Sequence, residues 1–317
     1  MNHPSDSARE VGIHNSSPLE LPAWVAFNRL RWGLGARSVR ETVDGAVARA
    51  IFYSDRQGRI VQPPTNAYLP VLVDFDERTS RRESAWLDAG DRIARAMRKQ
   101  HLHGSVVLPP AITDVRPWQW QGFVASIVYT YIVRLPLDGT LVSRSARRRA
   151  AKAVELGLTC EITDDAEAVS ACLSDSERRQ GFSYGISSDH LRAALRQVGP
   201  SALRMYLCRD ADGNAAASRV ILHAPLGTAV DWLAGTADPQ LSTGATQRLI
   251  QFALEDLGRV GATAFDFAGA NLSTVAKAKS HWGGELVPAY SIQEPGPRSI
   301  ARAGRAWWRF MRNANVS

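Results

Sequence analysis

Three β-rich runs in close succession, followed by alternating helical and extended segments, restrict this chain more than any other feature. Residues 202–209 ("ALRMYLCR"), 215–223 ("AAASRVILH") and 227–235 ("GTAVDWLAG") are rich in apolar and β-branched residues, and the turn "DADG" separates the first two. Such runs, bounded by Gly and Asp, read as the strands of a meander. Beyond them the pattern predicts a helix over 244–257, a strand over 263–267, a helix over 272–280 and a strand over 285–292. Two helical segments, 167–179 and 188–198, precede the meander. This order belongs to a mixed α/β fold.

The same order recurs loosely upstream. Residues 24–31 and 38–50 read as helices, and "AIFYSD" and "YLPVLVDF" as strands. Residues 83–100 form an amphipathic helix with Trp86, Ile93 and Met97 at helical spacing. Then come the short strand "GSVVLPP", the long strand "VASIVYTYIVRL", a helix over 141–156 ending at Gly157, and a strand over 159–162. A length of 317 residues suits about two domains of ~150 residues. Two copies of one mixed α/β (α+β) unit account for it. The expected organisation is a disordered polar lead-in over 1–18, a first domain over 19–145, a second over 146–295, and a basic aromatic tail over 296–317.

Lys and Arg outnumber Asp and Glu by 38 to 31, a net charge of +7. That balance suits a polyanionic partner, and equally a basic protein that is merely soluble. Three scattered cysteines, Cys160, Cys172 and Cys208, are too few for a disulfide framework or a zinc site. No apolar run approaches the ~20 residues that cross a bilayer, and the N-terminus has no hydrophobic segment of a secretory signal. A cytoplasmic protein is expected.

The stretch "AFDFAGANLSTVAKAKSHWGGELVP" (264–288) is the most unusual. Asp266 sits between two phenylalanines in a strand pattern and points away from the face they share. A glycine turn, a short helix with two lysines and the triplet Trp282-Gly283-Gly284 follow. Together these would line one wall of a pocket at the carboxyl end of a strand.

That block resembles the Asp-Phe-x-Gly … Phe-Lys-x-x-Phe-Gly-Gly pattern of the Fem-type aminoacyl and peptidyl transferases, which have two GNAT-like domains in tandem. Ala278 and Trp282 replace the two phenylalanines, and Lys279 falls at the lysine. "QGFVASIVYTYIVRL", "RRRAAKAVELGL" and "DSERRQGF" resemble three further family segments, with Arg178 at an arginine and Asp175 where threonine is usual. The resemblance spans roughly 86–290, and the second domain matches the GNAT pattern better. It implies transfer of an acyl group to an amine.

GNAT enzymes that use acyl-CoA hold its pyrophosphate on a Gly-rich turn at a helix N-terminus. The corresponding place here is "DPQLSTGATQRL". Gly244 is present, but Gln240 lies one residue too far upstream and Thr246 occupies the small-residue position. Gly244 and Thr246 are the candidate donor-binding residues in a degraded cradle. Fem-type transferases lack it too, since their donor is aminoacyl-tRNA.

Acyl transfer needs positive charge where the oxyanion forms. Lys279 is the candidate for that contact, against the alternative of a solvated lysine at a helix end. Asp266 either orients the acceptor or shapes the turn at Gly269. Gly269, Trp282 and Gly283 would line the same pocket. The resemblance selects Arg147 from the run 147–149 for a phosphate or carboxylate, the alternative being a solvated charge run. Arg178 would belong to an entry loop, Tyr184 would bond an acceptor or pack, and Trp232 would contact substrate or fill core.

His101 with His103, and Asp74 with Asp76, have metal-like spacing but read as polar loop residues, and no metal is expected. In the tail, Arg302, Arg305, Trp307, Trp308, Arg309, Phe310 and Arg312 share one helical stretch. Basic and aromatic residues together suit the inner face of a membrane or a nucleic-acid backbone, whereas the Fem-type resemblance implies packing on the first domain with a basic outer face. The expected activity is N-acyl transfer from aminoacyl-tRNA or acyl-CoA, without a cofactor, to an amine of an envelope precursor or small metabolite. The alternative is a non-catalytic basic scaffold binding nucleic acid or an anionic envelope component.

Overall fold

The computed structural model describes residues 17–75 and 82–296. In chain order the elements are α1 (Pro22–Trp32), β1 (Gly35–Val43), β2 (Ala46–Ser54), β3 (Ile60–Val61), β4 (Val71–Phe75), α2 (Arg82–Gln100), β5 (Ser105–Leu108), α3 (Arg116–Trp120) and β6 (Val124–Arg134). They continue with α4 (Arg144–Glu155), β7 (Thr159–Thr163), α5 (Ala166–Gln180), α6 (Ser188–Val198), β8 (Leu203–Arg209), β9 (Ala215–Leu222) and β10 (Thr228–Thr236). The last are α7 (Ala245–Arg259), β11 (Ala264–Asp266), α8 (Ser273–Lys279) and β12 (Glu285–Gln293). The fold is mixed α/β, as the sequence pattern implied.

The elements form two compact units that interleave along the chain. One holds residues 17–31, 64–67 and 129–287, and the other 32–63, 68–75, 82–128 and 288–296. The breaks fall inside β6 and β12 rather than at the expected 145/146 boundary. The reason is that residues before 145 are already committed to the first unit: Ile132, Val133 and Arg134 pair with β11. Of the lead-in expected over 1–18, residues 1–16 lie outside the described residues, while Ser17 accepts a hydrogen bond from Leu19 and caps a 3-10 turn over Pro18–Glu20. The tail's Arg302 to Arg312 lie outside the described residues.

In the first unit the strand order is β6-β11-β10-β9-β8-β7. The meander β8-β9-β10 is antiparallel throughout, and the turn after β8 is fastened by Asp210, whose Oδ1 accepts from Asp212 N and Asn214 N. β10 and β11 run parallel, which requires a crossover, and α7 supplies it. Alternate residues of β9 serve opposite faces. Ser218 bonds the Val169 carbonyl of α5, while Ala217 and Ile221 join a core with Leu249, Ala253 and Leu257 of α7 and Ala146 and Ala153 of α4. The central strands are therefore covered on both sides, and β9 is buried along nearly its whole length.

The second unit corrects one expectation: residues 38–50 are not a helix but part of the β1–β2 hairpin. Asp44 and Gly45 have φ of 43° and 81°, the two positive values of a tight hairpin turn, and Val43 pairs with Ala46 across it. Ala46, Ala48 and Ala50 are then buried at the two-residue period of a strand. β3 and β4 pair with different parts of β2, and β5 pairs with residues 290–293 of β12. Trp86, Ile93 and Met97 of α2 are buried, and the Trp118 indole N–H of α3 donates to Met97 Sδ at 3.0 Å. His103 contacts Asp55, His101 contacts Glu294 and Asp74 pairs with Arg49, while Asp76 lies outside the described residues.

Candidate active site

The site grows out of the short pairing of β10 with β11. Only three residues of each strand are in register, ending at Val230 and Asp266, after which β10 continues to Thr236 beside β9. Both strands change course at this level. On β10, Asp231 is opposite Ile221 and Leu233 opposite Val220, so Trp232 is the extra residue of a bulge. After β11, Asp266 draws the chain into a turn: its Oδ1 accepts from Ala268 N (2.7 Å) and from Thr130 Oγ1 (2.6 Å). Thr130 Oγ1 in turn accepts from Gly269 N at 3.0 Å. Ala268 and Gly269 have positive φ there, 54° and 113°.

Lys279, the last residue of α8, reaches back to this turn. Its Nζ donates to the Phe267 and Gly269 carbonyls, both at 2.6 Å. The ammonium also lies 5.7 Å from the centre of the Phe267 ring, and so does the Arg219 guanidinium. Lys279 is half-buried, and burial holds its pKa below the ordinary lysine range, with Arg219 adding to the effect and Asp231 and Asp266 opposing it.

Arg219 and Asp231 form a buried ion pair, each side chain 8 % exposed. Burial pushes the Asp231 carboxyl above the ordinary range although Arg219 and Lys279 pull it down. Asp231 Oδ1 has no hydrogen-bond partner among the described residues, and neither do the indole nitrogens of Trp232 and Trp24. Those two indoles meet edge to face at 4.9 Å, with Phe27 5.6 Å from Trp232. Tyr184 donates to the Ala234 carbonyl of β10 at 3.3 Å, and burial pushes its phenol up to about 12.

The structure thus brings Lys279, Gly269, Asp266, Tyr184 and Trp232 to the neighbourhood of the strand divergence, and leaves the other candidates apart. Asp266 shapes the turn through Thr130 and Ala268. Trp282, 2 % exposed, lies in the core with α4 and α7. A Cβ on Gly283 would stand 2.5 Å from Leu141 Cβ, so that glycine permits a packing contact. Arg147 is exposed and donates to the Gly139 carbonyl at 2.8 Å. Arg178, also exposed, bridges Asp175 and Asp238.

Gly244 starts α7 in the left-handed region, with φ of 91°, and a Cβ there would collide with the Arg149 carbonyl of α4. Thr246 Oγ1 is 2.8 Å from Thr236 Oγ1 at the end of β10. Both residues of the degraded cradle therefore have packing or bonding partners within the protein.

Sequence reasoning missed Arg219 and passed over Asp231 as a site residue. The signal was present, since each is a lone charge in an otherwise apolar strand, where an unpaired ion is costly. Among the described residues, no group of three or more His, Cys, Asp or Glu is placed to hold a metal ion. No described helix is long and apolar enough to cross a membrane.

No protein-family model matches the chain, and no curated protein sequence matches it. Solved structures do. FemX superposes with a TM-score of 0.61 at 14% identity, covering 88% of this chain and 93% of its own. The C-terminal domain of a putative lysylphosphatidylglycerol synthetase from Agrobacterium fabrum gives 0.53 at 14% identity, covering 86% and 87%. L-PGS from Bacillus licheniformis gives 0.51 at 12% identity, covering 85% and 91%. The protein shares the fold of FemX and of these two synthetase structures.

Proposed function

We propose that the protein is an N-acyltransferase that moves an acyl or aminoacyl group from an activated ester onto an amine, with Lys279 and Asp231 as its working pair. The observation that carries this reading is the half-buried ammonium of Lys279, fixed by two backbone carbonyls beside a buried carboxylate. An ammonium has three N–H donors. Two hold Lys279 in place, and the third serves the carbonyl oxygen of the donor.

As the amine nitrogen adds to the carbonyl carbon, negative charge develops on that oxygen, and a donor that needs no reorganisation is worth most there. Asp231 Oδ1, free of a partner among the described residues, takes the proton that the attacking nitrogen must lose. The tetrahedral intermediate then collapses, the C–O bond to the leaving group breaks, the departing oxygen takes the proton back from Asp231 to leave as an alcohol, and the amide remains.

An aminoacyl ester, as on tRNA, is favoured over acyl-CoA as donor. The N-terminal turn of α7 is closed by the Arg149 carbonyl against Gly244 and by the Thr246–Thr236 contact, which argues against a pyrophosphate seat. The acceptor is an amine of an envelope precursor or small metabolite.

The test offers the protein radiolabelled aminoacyl-tRNAs and acetyl-CoA with a panel of amines, comparing wild type with Lys279→Ala. Amide product from an aminoacyl donor, reduced ~10²–10³-fold in kcat by the substitution, is the expected result. Tight stoichiometric binding of acetyl-CoA would overturn the donor assignment, and turnover unchanged in Lys279→Ala would overturn the role of the lysine.

A further inference from the structure

Cys160 and Cys208 stand directly opposite one another on the antiparallel strands β7 and β8. Neither is in a disulfide, and nothing in the proposed reaction uses them. Directly opposed residues of an antiparallel pair have Cα atoms about 4.5–5.5 Å apart, whichever of the two pair types they form. A disulfide accepts Cα separations of about 4.4–6.8 Å. Cys160 packs against the core cluster to which Cys208 belongs. β7 is the last strand in its sheet, paired on one side to β8, so it can shift by the small amount that a covalent link asks.

Their surroundings divide the labour. Cys160 is partly exposed, whereas Cys208 is fully buried. The hydrogen bond from Cys208 holds the Cys160 thiol below its ordinary range, burial opposes this, and the charge of Arg248 on α7 assists. Cys208 is pushed up, first by that same hydrogen bond and then by burial and the charge of Cys160. The accessible thiol is therefore the one that ionises, and the buried one waits beside it.

We propose that Cys160 is an oxidation site for peroxides and that Cys208 resolves it, closing a reversible disulfide that staples β7 to β8. The Cys160 thiolate attacks a peroxide oxygen, the O–O bond breaks, and sulfenic acid and water form. Cys208 sulfur then displaces water from the sulfenic acid to make the S–S bond. Overall, two thiols lose two electrons and two protons to one hydrogen peroxide, giving two waters. Once Cys160 becomes a neutral sulfenic acid, its charge no longer opposes ionisation of Cys208, and burial is left to do so. The first step thus prepares the second. The third thiol, Cys172, is buried, and burial pushes its pKa up to about 11, so it stays inert.

The experiment treats the full chain with stoichiometric hydrogen peroxide, blocks free thiols, and maps peptides without reduction. The expected result is a Cys160–Cys208 linked peptide that dithiothreitol reverses, with Cys172 alkylated only after denaturation. The linked form should melt several degrees higher, because the bridge closes a long loop in the unfolded chain. In Cys208→Ala, and independently in Cys208→Ser, Cys160 should instead accumulate as a dimedone-reactive sulfenic acid. Oxidation of wild-type Cys160 onward to sulfinic acid with Cys208 still free would overturn the proposal. So would an intermolecular Cys160 dimer as the main product, or two unmodified thiols under conditions that oxidise free cysteine. None of these outcomes depends on whether the protein transfers acyl groups.

Discussion

Arg219 and Asp231 neutralise each other across β9 and β10 at a place where both side chains are only 8 % exposed. They meet diagonally: Asp231 is opposite Ile221, and Arg219 projects from the same face two residues away. Replacing one partner leaves the other as an uncompensated buried charge, which typically costs about 3–5 kcal/mol. Arg219→Leu should therefore lower the urea midpoint strongly. The double variant Arg219→Leu with Asp231→Leu should recover much of the loss, and absence of recovery would mean that the pair does not act as a unit.

The pH dependence follows from two opposite shifts. Lys279 works as a cation, and its pKa lies below the ordinary lysine range. Activity should therefore fall as pH rises through a point lower than free lysine would give. Asp231 works as a carboxylate, and its pKa lies above the ordinary range. Activity should fall as pH drops through a point higher than a free aspartate would give. A bell narrowed from both sides is expected in kcat/KM. Asp231→Asn should remove the acid limb along with most of the rate, and Lys279→Ala the alkaline limb. A flat profile from pH 5 to 10 would count against both assignments.

The order of elements was legible because strand and helix patterns differ in period, and residues 167–293 fell into place on that basis. The β1–β2 hairpin was misread because "DGAVARA" is rich in alanine, the best helix former, and local propensity pointed the wrong way. The decisive signal was the Asp-Gly pair, whose turn requires positive φ at both residues. Lys279 could be found from its motif, since the turn and the lysine lie close together along the chain. Arg219 could not. Its meaning depends on strand register and on a bulge at Trp232, and no local spacing encodes either.

Gly244 separates two explanations of one glycine. As a packing residue it lets the start of α7 approach the Arg149 carbonyl, where a Cβ would have no room. Gly244→Ala should then destabilise the protein by at least about 2 kcal/mol, from left-handed strain together with overpacking. The KM for the donor should hardly change in the folded fraction. If Gly244 instead cradled donor phosphates, the KM would rise while thermal stability stayed near wild type. Melting curves and donor titrations on the same preparation decide between them.

Thr130 takes no part in the proposed chemical steps, yet it should matter to rate. Its hydroxyl donates to Asp266 at 2.6 Å and accepts from Gly269 N at 3.0 Å, so it fixes the turn whose carbonyls at Phe267 and Gly269 hold Lys279. Thr130→Val keeps the shape but removes both bonds and takes a donor from the buried Asp266. The cost to stability should be about 1–3 kcal/mol, the usual penalty for leaving a buried polar group short of a partner. With the turn loosened, the lysine loses its fixed aim at the donor oxygen, and kcat should fall while KM stays close to wild type. Thr130→Ser restores the hydroxyl and should recover most of the rate. If Thr130→Val loses stability but keeps full kcat, the turn does not position Lys279, and the ammonium needs no support from it.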